Sequence, residues 1–191
     1  MLPIITRERP DTFDAISLIT ELEAFLESLY PPESRHGYSV DKLLAEEVAF
    51  FLLRVNETPA CCGGIEFVGN EYGEIKRMYV RPQFRGLGFA KLMVNHLADY
   101  ACAHNITLLR LETGVHQREA IGLYERLGFY RIPLFGPYIN DPLSLCYEKR
   151  LVSPEELGWS PGFFEQTAGA LQDDPLIRYS QGEYEEREPL E

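Results

Sequence analysis

The stretch MYVRPQFRGLGFAKLM, residues 78–93, joins a β-like segment to a helix-like segment through a turn with two glycines. Arg81–Pro82 ends the strand, and the helix is predicted to begin at Gly88. The first N–H groups of a helix have no internal partners and carry partial positive charge. Gly86 and Gly88 lack the Cβ atoms that would keep a ligand away from this backbone. The stretch therefore predicts an anion site, where a diphosphate would engage several N–H groups at once.

The same glycines also match part of the dinucleotide-binding pattern G-x-G-x-x-G. Lys91 stands where that pattern needs a third glycine or alanine, and five residues separate Val80 from Gly86. A dinucleotide turn follows its strand directly, so the spacing argues against this alternative. Glu112 lies near the acidic position expected downstream, which leaves a dinucleotide-binding oxidoreductase open.

Hydrophobic patterns and turn residues predict seven strands and four helices. The predicted strands cover residues 2–8, 49–57, 58–70, 71–80, 107–114, 129–135 and 144–151. The predicted helices run from a cap at Asp11 or Thr12 to about Tyr30, and over 40–48, 88–104 and 118–128. Short polar turns between the strands of 49–80 favour an antiparallel meander. The helix between residues 75 and 113 predicts a parallel crossover. The expected fold is α/β (α+β), a mixed, mostly antiparallel sheet flanked by helices.

Smaller patterns predict which helical faces are buried and where the backbone is irregular. Gly63–Gly64 indicates a bulge or a close backbone approach, and Gly128 marks a helix end. The predicted buried positions are Phe13, Ile16, Ile19, Leu22 and Phe25 in the first long helix, and Leu92, Met93, Leu97 and Tyr100 or Ala101 in the third.

Composition and charge exclude several classes of protein. The net charge is −12, of which residues 152–191 contribute −8 and residues 1–151 contribute −4, so no basic surface suits a nucleic acid. The longest apolar run, Val48–Leu53, is too short to cross a bilayer, and the first residues do not resemble a signal peptide. A cytoplasmic protein with no membrane partner is expected. The four cysteines have no zinc-like spacing, so reduced thiols and no metal site are expected.

The last forty residues differ in character from the rest. Residues 152–191 are acidic and rich in proline and glycine, which predicts a tail separate from a domain at residues 1–151. Trp159, Phe163 and Phe164 could dock on the core or on a second copy, which leaves a homodimer open.

Two motifs together resemble the GNAT superfamily of N-acetyltransferases. The family's acyl-CoA loop reads Arg or Gln, two residues, Gly, one residue, and Gly or Ala, as Gln83–Gly88 does. QREAIGLYERLGF, residues 117–129, resembles the family's later helix Asn-x-x-Ala-Ile-x-Leu-Tyr-x-x-x-Gly-Phe, with Gln117 in place of the usual Asn. The resemblance covers residues 2–151, and within the family the sequence is similar to a bacterial group of small acetyltransferases.

The resemblance implies that acetyl-CoA binds where the fourth and fifth strands separate. Backbone amides from Arg85 to Ala90 would bind the diphosphate, the backbone of Met78–Val80 would pair with the pantetheine arm, and Gln117 would lie near that arm. The implied cofactor-binding residues are Met78, Tyr79, Val80, Gln83, Arg85, Gly86, Leu87, Gly88, Phe89, Ala90, Gln117 and Tyr124.

The resemblance also implies catalytic roles. Tyr124 would donate a proton to the departing coenzyme A sulfur, and a backbone N–H near Val80 would polarise the thioester carbonyl. Glu74 is the predicted general base, because it lies on the strand that leads into the glycine turn. Glu112 and His116 are the alternatives.

The acceptor is expected to bind against two irregular segments, YPPESRHGYS at 30–39 and GPYINDPL at 136–143. Arg35 would suit a carboxylate-bearing acceptor and Glu33 a polyamine, and a small molecule and a protein amine both stay open. The predicted substrate-binding residues are Glu33, Arg35, His36, Glu112 and Tyr138. The predicted activity is direct acetyl transfer from acetyl-CoA to a primary amine, and a catalytically silent acyl-CoA-binding module is the main alternative.

Overall fold

Seven strands form one mixed sheet in the computed structural model, which describes residues 2–151. The strands are β1 Pro3–Glu8, β2 Ala49–Val55, β3 Thr58–Val68, β4 Tyr72–Val80, β5 Leu108–Gly114, β6 Tyr130–Ile132 and β7 Ser144–Arg150. The helices are α1 Phe13–Glu27, α2 Val40–Ala45, α3 Phe89–Ala103 and α4 Arg118–Arg126. The order across the sheet is β1-β2-β3-β4-β5-β7-β6, and every neighbouring pair except β4–β5 is antiparallel. The predicted fold class is confirmed.

The predicted tail at 152–191, with Trp159, Phe163 and Phe164, lies outside the described residues and stays a prediction. Among the helices of residues 2–151, none is long and apolar enough to span a bilayer.

The helices cover both faces of the sheet. One buried cluster joins α1 and α2 to residues of β2 and β3, including Phe50, Leu52 and Cys62. The other joins α3 and Tyr124 of α4 to the opposite face, where Phe51, Leu53 and Cys61 point. Alternate residues of each central strand therefore enter different clusters, as the period of two requires.

The predicted buried face of α1 was wrong at its first positions. Phe13 is 87% exposed and Ile16 is 43% exposed, whereas Ala15, Leu18, Ile19 and Leu22 are buried. A stripe repeating every three residues drifts around a helix of 3.6 residues per turn, so a buried face must alternate steps of three and four. In α3 the predicted burial of Leu92 is also wrong: Leu92 is 42% exposed, whereas Val94, on the other side of Met93, is buried.

A β-bulge bends β4 opposite Gly63. Gly64 pairs with Lys76 and Cys62 pairs with Tyr79, so Arg77 and Met78 together oppose the single residue Gly63. The extra residue thus lies on the strand facing the predicted glycines, and a Cβ on Gly63 would lie 2.5 Å from Met78 Sδ. A bulge increases the local bend and twist of its strand.

The same region of β4 separates from β5. The two strands pair in parallel only from Gly73 to Ile75 on β4 and from Leu109 to Leu111 on β5. Beyond Ile75 the β5-facing edge of β4 has no strand partner within residues 2–151, as the resemblance implied. The separation opens a cleft that leads toward α4 and the glycine turn.

Candidate active site

The glycine turn presents open backbone. Gly86 and Gly88 have φ of +78° and +82°, and a Cβ on either would meet no atom within 4 Å. The amides from Gly86 to Ala90 make no hydrogen bond to any residue between 2 and 151. The Arg85 amide, also implied as a phosphate donor, instead donates to the Pro82 carbonyl at 3.2 Å. Five consecutive donors thus remain for an anion.

A cleft of about 420 Å³ extends from this turn between β4 and α4. Of the predicted cofactor-binding residues, the cleft is lined by Met78, Tyr79, Val80, Arg85, Gly86, Gly88, Phe89, Ala90, Gln117 and Tyr124. Leu87 is 61% exposed, and neither it nor Gln83 lines the cleft. The sequence did not point to the apolar wall that Leu22, Phe25 and Leu123 provide.

Tyr124 is the buried polar group of this cleft. Its side chain is 5% exposed and packs edge to face on Phe129, with ring centroids 5.7 Å apart. Burial raises the pKa of Tyr124 above its usual range, so the phenol keeps its proton at neutral pH. Its hydroxyl donates to no other described residue. A protonated O–H donor is therefore held in the cleft wall.

A smaller cavity of about 110 Å³ adjoins the cleft. Five residues line both spaces: Leu22, Met78, Gln117, Ala120 and Tyr124. Four predicted substrate-binding residues line the smaller cavity: Arg35, His36, Glu112 and Tyr138. Glu33 is exposed and lies outside its lining. The two spaces meet at Tyr124, as a donor and an acceptor of a transferred group would require.

Glu112 faces the smaller cavity from the end of β5. Its carboxylate accepts a hydrogen bond from Ser144 Oγ at 2.6 Å. Burial raises the pKa of Glu112, and the Ser144 hydroxyl offsets only part of that shift. A carboxylate with a raised pKa takes up a proton more readily at neutral pH.

Glu74 lies deeper than Glu112 and is already occupied. Its Oε1 accepts hydrogen bonds from Lys76 Nζ and from the Tyr138 hydroxyl, both at 2.6 Å. Lys76 and Tyr138 line the cavity and Glu74 does not. Lys76 Nζ also lies 3.0 Å from Tyr138 Oη and 3.6 Å from Glu66. The predicted base thus lies beneath a lysine and a tyrosine rather than against the cavity.

The remaining predicted groups have fixed partners. His36 Nε2 lies 2.7 Å from Asp141 Oδ2. Burial alone would raise the pKa of Asp141, but the Leu143 N–H, His36 and Ser34 together lower it. His116 is exposed, outside both cavity walls, and stacks on Tyr30.

Several site residues were not predicted. Tyr30, the first residue of the segment 30–39 but not singled out within it, lines the smaller cavity; its hydroxyl accepts the His116 N–H at 2.8 Å, and Gly114 leaves room for its ring. Lys76 and Arg77 are buried charges on β4 that line the cavity. The alternation of Glu74 and Lys76 along a strand could have placed both on one face. No local pattern indicates Arg77, because it occupies the bulge.

The model of the Acetyltransferase (GNAT) family matches residues 16–129. An IAA acetyltransferase of Azospirillum brasilense is 40% identical over 148 residues, which span 77% of this chain and 97% of the relative. The uncharacterized N-acetyltransferase YsnE of Bacillus subtilis is 31% identical over 138 residues, 71% of this chain and 91% of the relative.

Solved structures agree with these matches. A protein of Klebsiella pneumoniae, assigned to the acyl-CoA N-acyltransferases, superposes with a TM-score of 0.66 at 34% identity, covering 78% of this chain and 98% of that one. The PaiA N-acetyltransferase of Thermoplasma acidophilum, solved with coenzyme A, has a TM-score of 0.64 at 19% identity, covering 78% and 99%. The family model, the relatives and the solved structures agree. This chain belongs to the GNAT family of acetyltransferases, and acetyl-CoA is its acetyl donor.

Proposed function

We propose that this enzyme transfers the acetyl group directly from acetyl-CoA to the primary amine of a small acceptor, with both substrates bound at once. The observation that carries the proposal is the meeting of the cleft and the smaller cavity at Tyr124. Two spaces with a shared wall allow an amine in one to reach a thioester in the other. No covalent enzyme intermediate is then required.

The cleft fits acetyl-CoA in its chemistry. The free amides of Gly86 to Ala90 suit the diphosphate, and the unpaired edge of β4 at Met78–Val80 suits the amide groups of the pantetheine arm. When bound, acetyl-CoA supplies an acetyl thioester whose sulfur leaves as the amine nitrogen takes the acetyl group. The backbone N–H near Val80 remains the predicted donor to the thioester carbonyl.

We assign the general base to Glu112. An alkylamine has a pKa of about 10.4, so deprotonating it at pH 7 costs roughly 4.6 kcal/mol. The half-buried carboxylate of Glu112 faces the cavity and has a raised pKa, which suits it to accept the acceptor's proton. Glu74 stays the alternative, acting through the Lys76 and Tyr138 groups that cover it.

Tyr124 completes the proposed chemistry on the donor side. Its phenol is held neutral by burial, and its O–H has no competing acceptor within the described chain. It can therefore give a proton to the leaving sulfur. Without that proton, a thiolate would have to form in a largely apolar cleft, where an unpaired charge is costly.

A screen of acceptor amines, with release of coenzyme A thiol as the readout, tests the proposal. Transfer to small primary amines is the expected result. A catalytically silent acyl-CoA-binding module would instead be protected against heat by acetyl-CoA and transfer to no amine. Transfer to peptide lysines alone would show that the acceptor is a protein and not a small molecule. A cytoplasmic location and a homodimer stay predictions of the sequence.

A further inference from the structure

Arg77 is a buried charge that the proposed acetyl transfer does not use. It lies at the β4 bulge with φ of +56°, is 7% exposed and lines the smaller cavity. All three of its guanidinium nitrogens are buried and have no hydrogen-bond partner within residues 2–151. A guanidinium has five N–H donors, and leaving them unpaired away from water is unfavourable. Apart from one ion pair with Glu23, residues 2–151 offer these donors no acceptor.

The surroundings of Arg77 do not supply that acceptor. Glu23 of α1 contacts Nη1 as an ion pair, but the contact lacks hydrogen-bond geometry, and the Glu23 side chain is 37% exposed. Nε and Nη2 contact no carboxylate of the described chain. The guanidinium also lies directly against Gly37, at the same Nη1 that contacts Glu23, and Gly37 lines the cavity too.

The other cations of the cavity are better matched. Lys76 binds Glu74 at 2.6 Å, and Arg35 Nη1 binds Glu27 at 2.6 Å. Arg35 still has a buried Nε without a hydrogen-bond partner among residues 2–151. The cavity cations with unpaired N–H groups are therefore the guanidinium groups of Arg35 and Arg77 and not the ammonium group of Lys76. A planar guanidinium binds a carboxylate through two parallel N–H groups, which an ammonium group cannot do.

The size of the cavity limits the ligand. Its volume of about 110 Å³ is several times the 10–15 Å³ that a cavity needs to hold one water molecule. A cavity of this size suits a small ligand with few non-hydrogen atoms. Glu112 offers a negative group in the same cavity, so a small ligand with both an ammonium and a carboxylate would match the charges of its walls.

We propose that the acceptor is a small amine that carries a carboxylate, and that the Arg77 guanidinium binds that carboxylate. This proposal rests on the proposed function, since it names the substrate class of the same site. Arg77 holds the acceptor, and Glu112 receives the proton of its ammonium group. Amino acids with the amine one to three carbons from the carboxylate are the class expected.

Matched acceptor pairs test this directly. L-alanine, β-alanine and γ-aminobutyrate are each compared with the corresponding carboxamide, and kcat/KM is measured by thiol release. At least one acid should exceed its amide by about tenfold or more, the loss expected for one charge-assisted interaction. In the L-alanine pair, the amine of the carboxamide has the lower pKa, so a larger fraction of it is unprotonated at neutral pH. This difference works against the expected preference for the acid. Amides that react as well as all three acids overturn the proposal and leave acetyl transfer intact.

Three variants test whether Arg77 causes the preference for acids over amides. Arg77→Met removes the charge at similar volume, and Gly37→Ala keeps it but places a methyl group on Nη1, 2.8 Å from Glu23 Oε1. Both should reduce the acid-to-amide ratio at least fivefold. Arg81→Met is the control, because Arg81 is another ion-paired arginine between β4 and α1 but lies outside both cavities. It should leave the ratio unchanged. An unchanged ratio in a folded Gly37→Ala enzyme overturns the role of Arg77.

Calorimetry separates this proposal from the proposed function. The acids and amides are titrated into the enzyme saturated with coenzyme A, which needs no turnover. Acids that bind at least tenfold more tightly than amides, and lose this advantage in Gly37→Ala, support the carboxylate site even if no amine is acetylated. Equal binding of acids and amides refutes it.

Discussion

Replacing Gly88 by alanine should weaken cofactor binding in a protein that still folds. Gly88 caps α3 with φ of +82° and ψ of 4°, and an added Cβ would meet no atom within 4 Å. No clash contributes, so the cost is the left-handed backbone, about 1–2 kcal/mol for a residue with a Cβ. A loss of 1 kcal/mol lowers the melting temperature of a chain of this size by about 2–4 °C.

The effect on acetyl-CoA has a different origin. The methyl group would occupy the open space over the turn where the free amides of Gly86 to Ala90 lie. A diphosphate displaced from even one or two of these amides loses about 1.4 kcal/mol or more, which is a tenfold loss of affinity. Isothermal titration with acetyl-CoA at a temperature well below the melting transition measures this loss without interference from unfolding.

Gly69→Ala is the matched control. Gly69 also has a positive φ, +54°, and open space around its Cβ position, but it lies in the turn between β3 and β4, away from both cavities. It should lower the melting temperature by a similar amount and leave acetyl-CoA affinity unchanged. Equal affinities in Gly88→Ala, Gly69→Ala and the unaltered enzyme would refute the assignment of the glycine turn.

Three further predictions concern single side chains. Tyr124→Phe should lower kcat by about a hundredfold or more with little change in acetyl-CoA affinity, and an unchanged kcat would remove Tyr124 from the chemistry. Because the pKa of Glu112 is raised, kcat/KM should rise with pH through a value above the usual glutamate range, and this rise should be lost in Glu112→Gln. If the rise persists in Glu112→Gln but is lost in Glu74→Gln, the general base is Glu74. The Arg54 guanidinium lowers the pKa of Glu8, so this pair stabilises the fold above the ordinary carboxyl pKa and the benefit is lost as pH falls. Glu8→Gln should therefore lower the melting temperature at pH 7, and the difference from the unaltered chain should shrink in acid; a constant difference contradicts this.

Local signals made the glycine turn and the order of strands and helices along the chain predictable. A strand end at Arg81–Pro82 followed by Gly86 and Gly88 specifies a tight turn into a helix whatever lies around it, and Gly128 ends α4 with φ of +83° in the same way. Short polar turns fixed the meander of β2, β3 and β4.

The cavity side chains depend on contacts that no local pattern contains. Glu74 is covered by Tyr138, which is 64 residues away in sequence, so the choice between Glu74 and Glu112 needed the fold. Arg77 faces the cavity because β4 carries a bulge there, and the bulge shows only in its pairing with Gly63.

A crystal structure of the enzyme with coenzyme A tests the central claim most directly. We expect the diphosphate oxygens within about 3 Å of backbone amides between Gly86 and Ala90. The sulfur should lie beside the Tyr124 hydroxyl, where the cleft and the smaller cavity meet. Coenzyme A bound away from the glycine turn, or with its sulfur remote from Tyr124, would contradict the account.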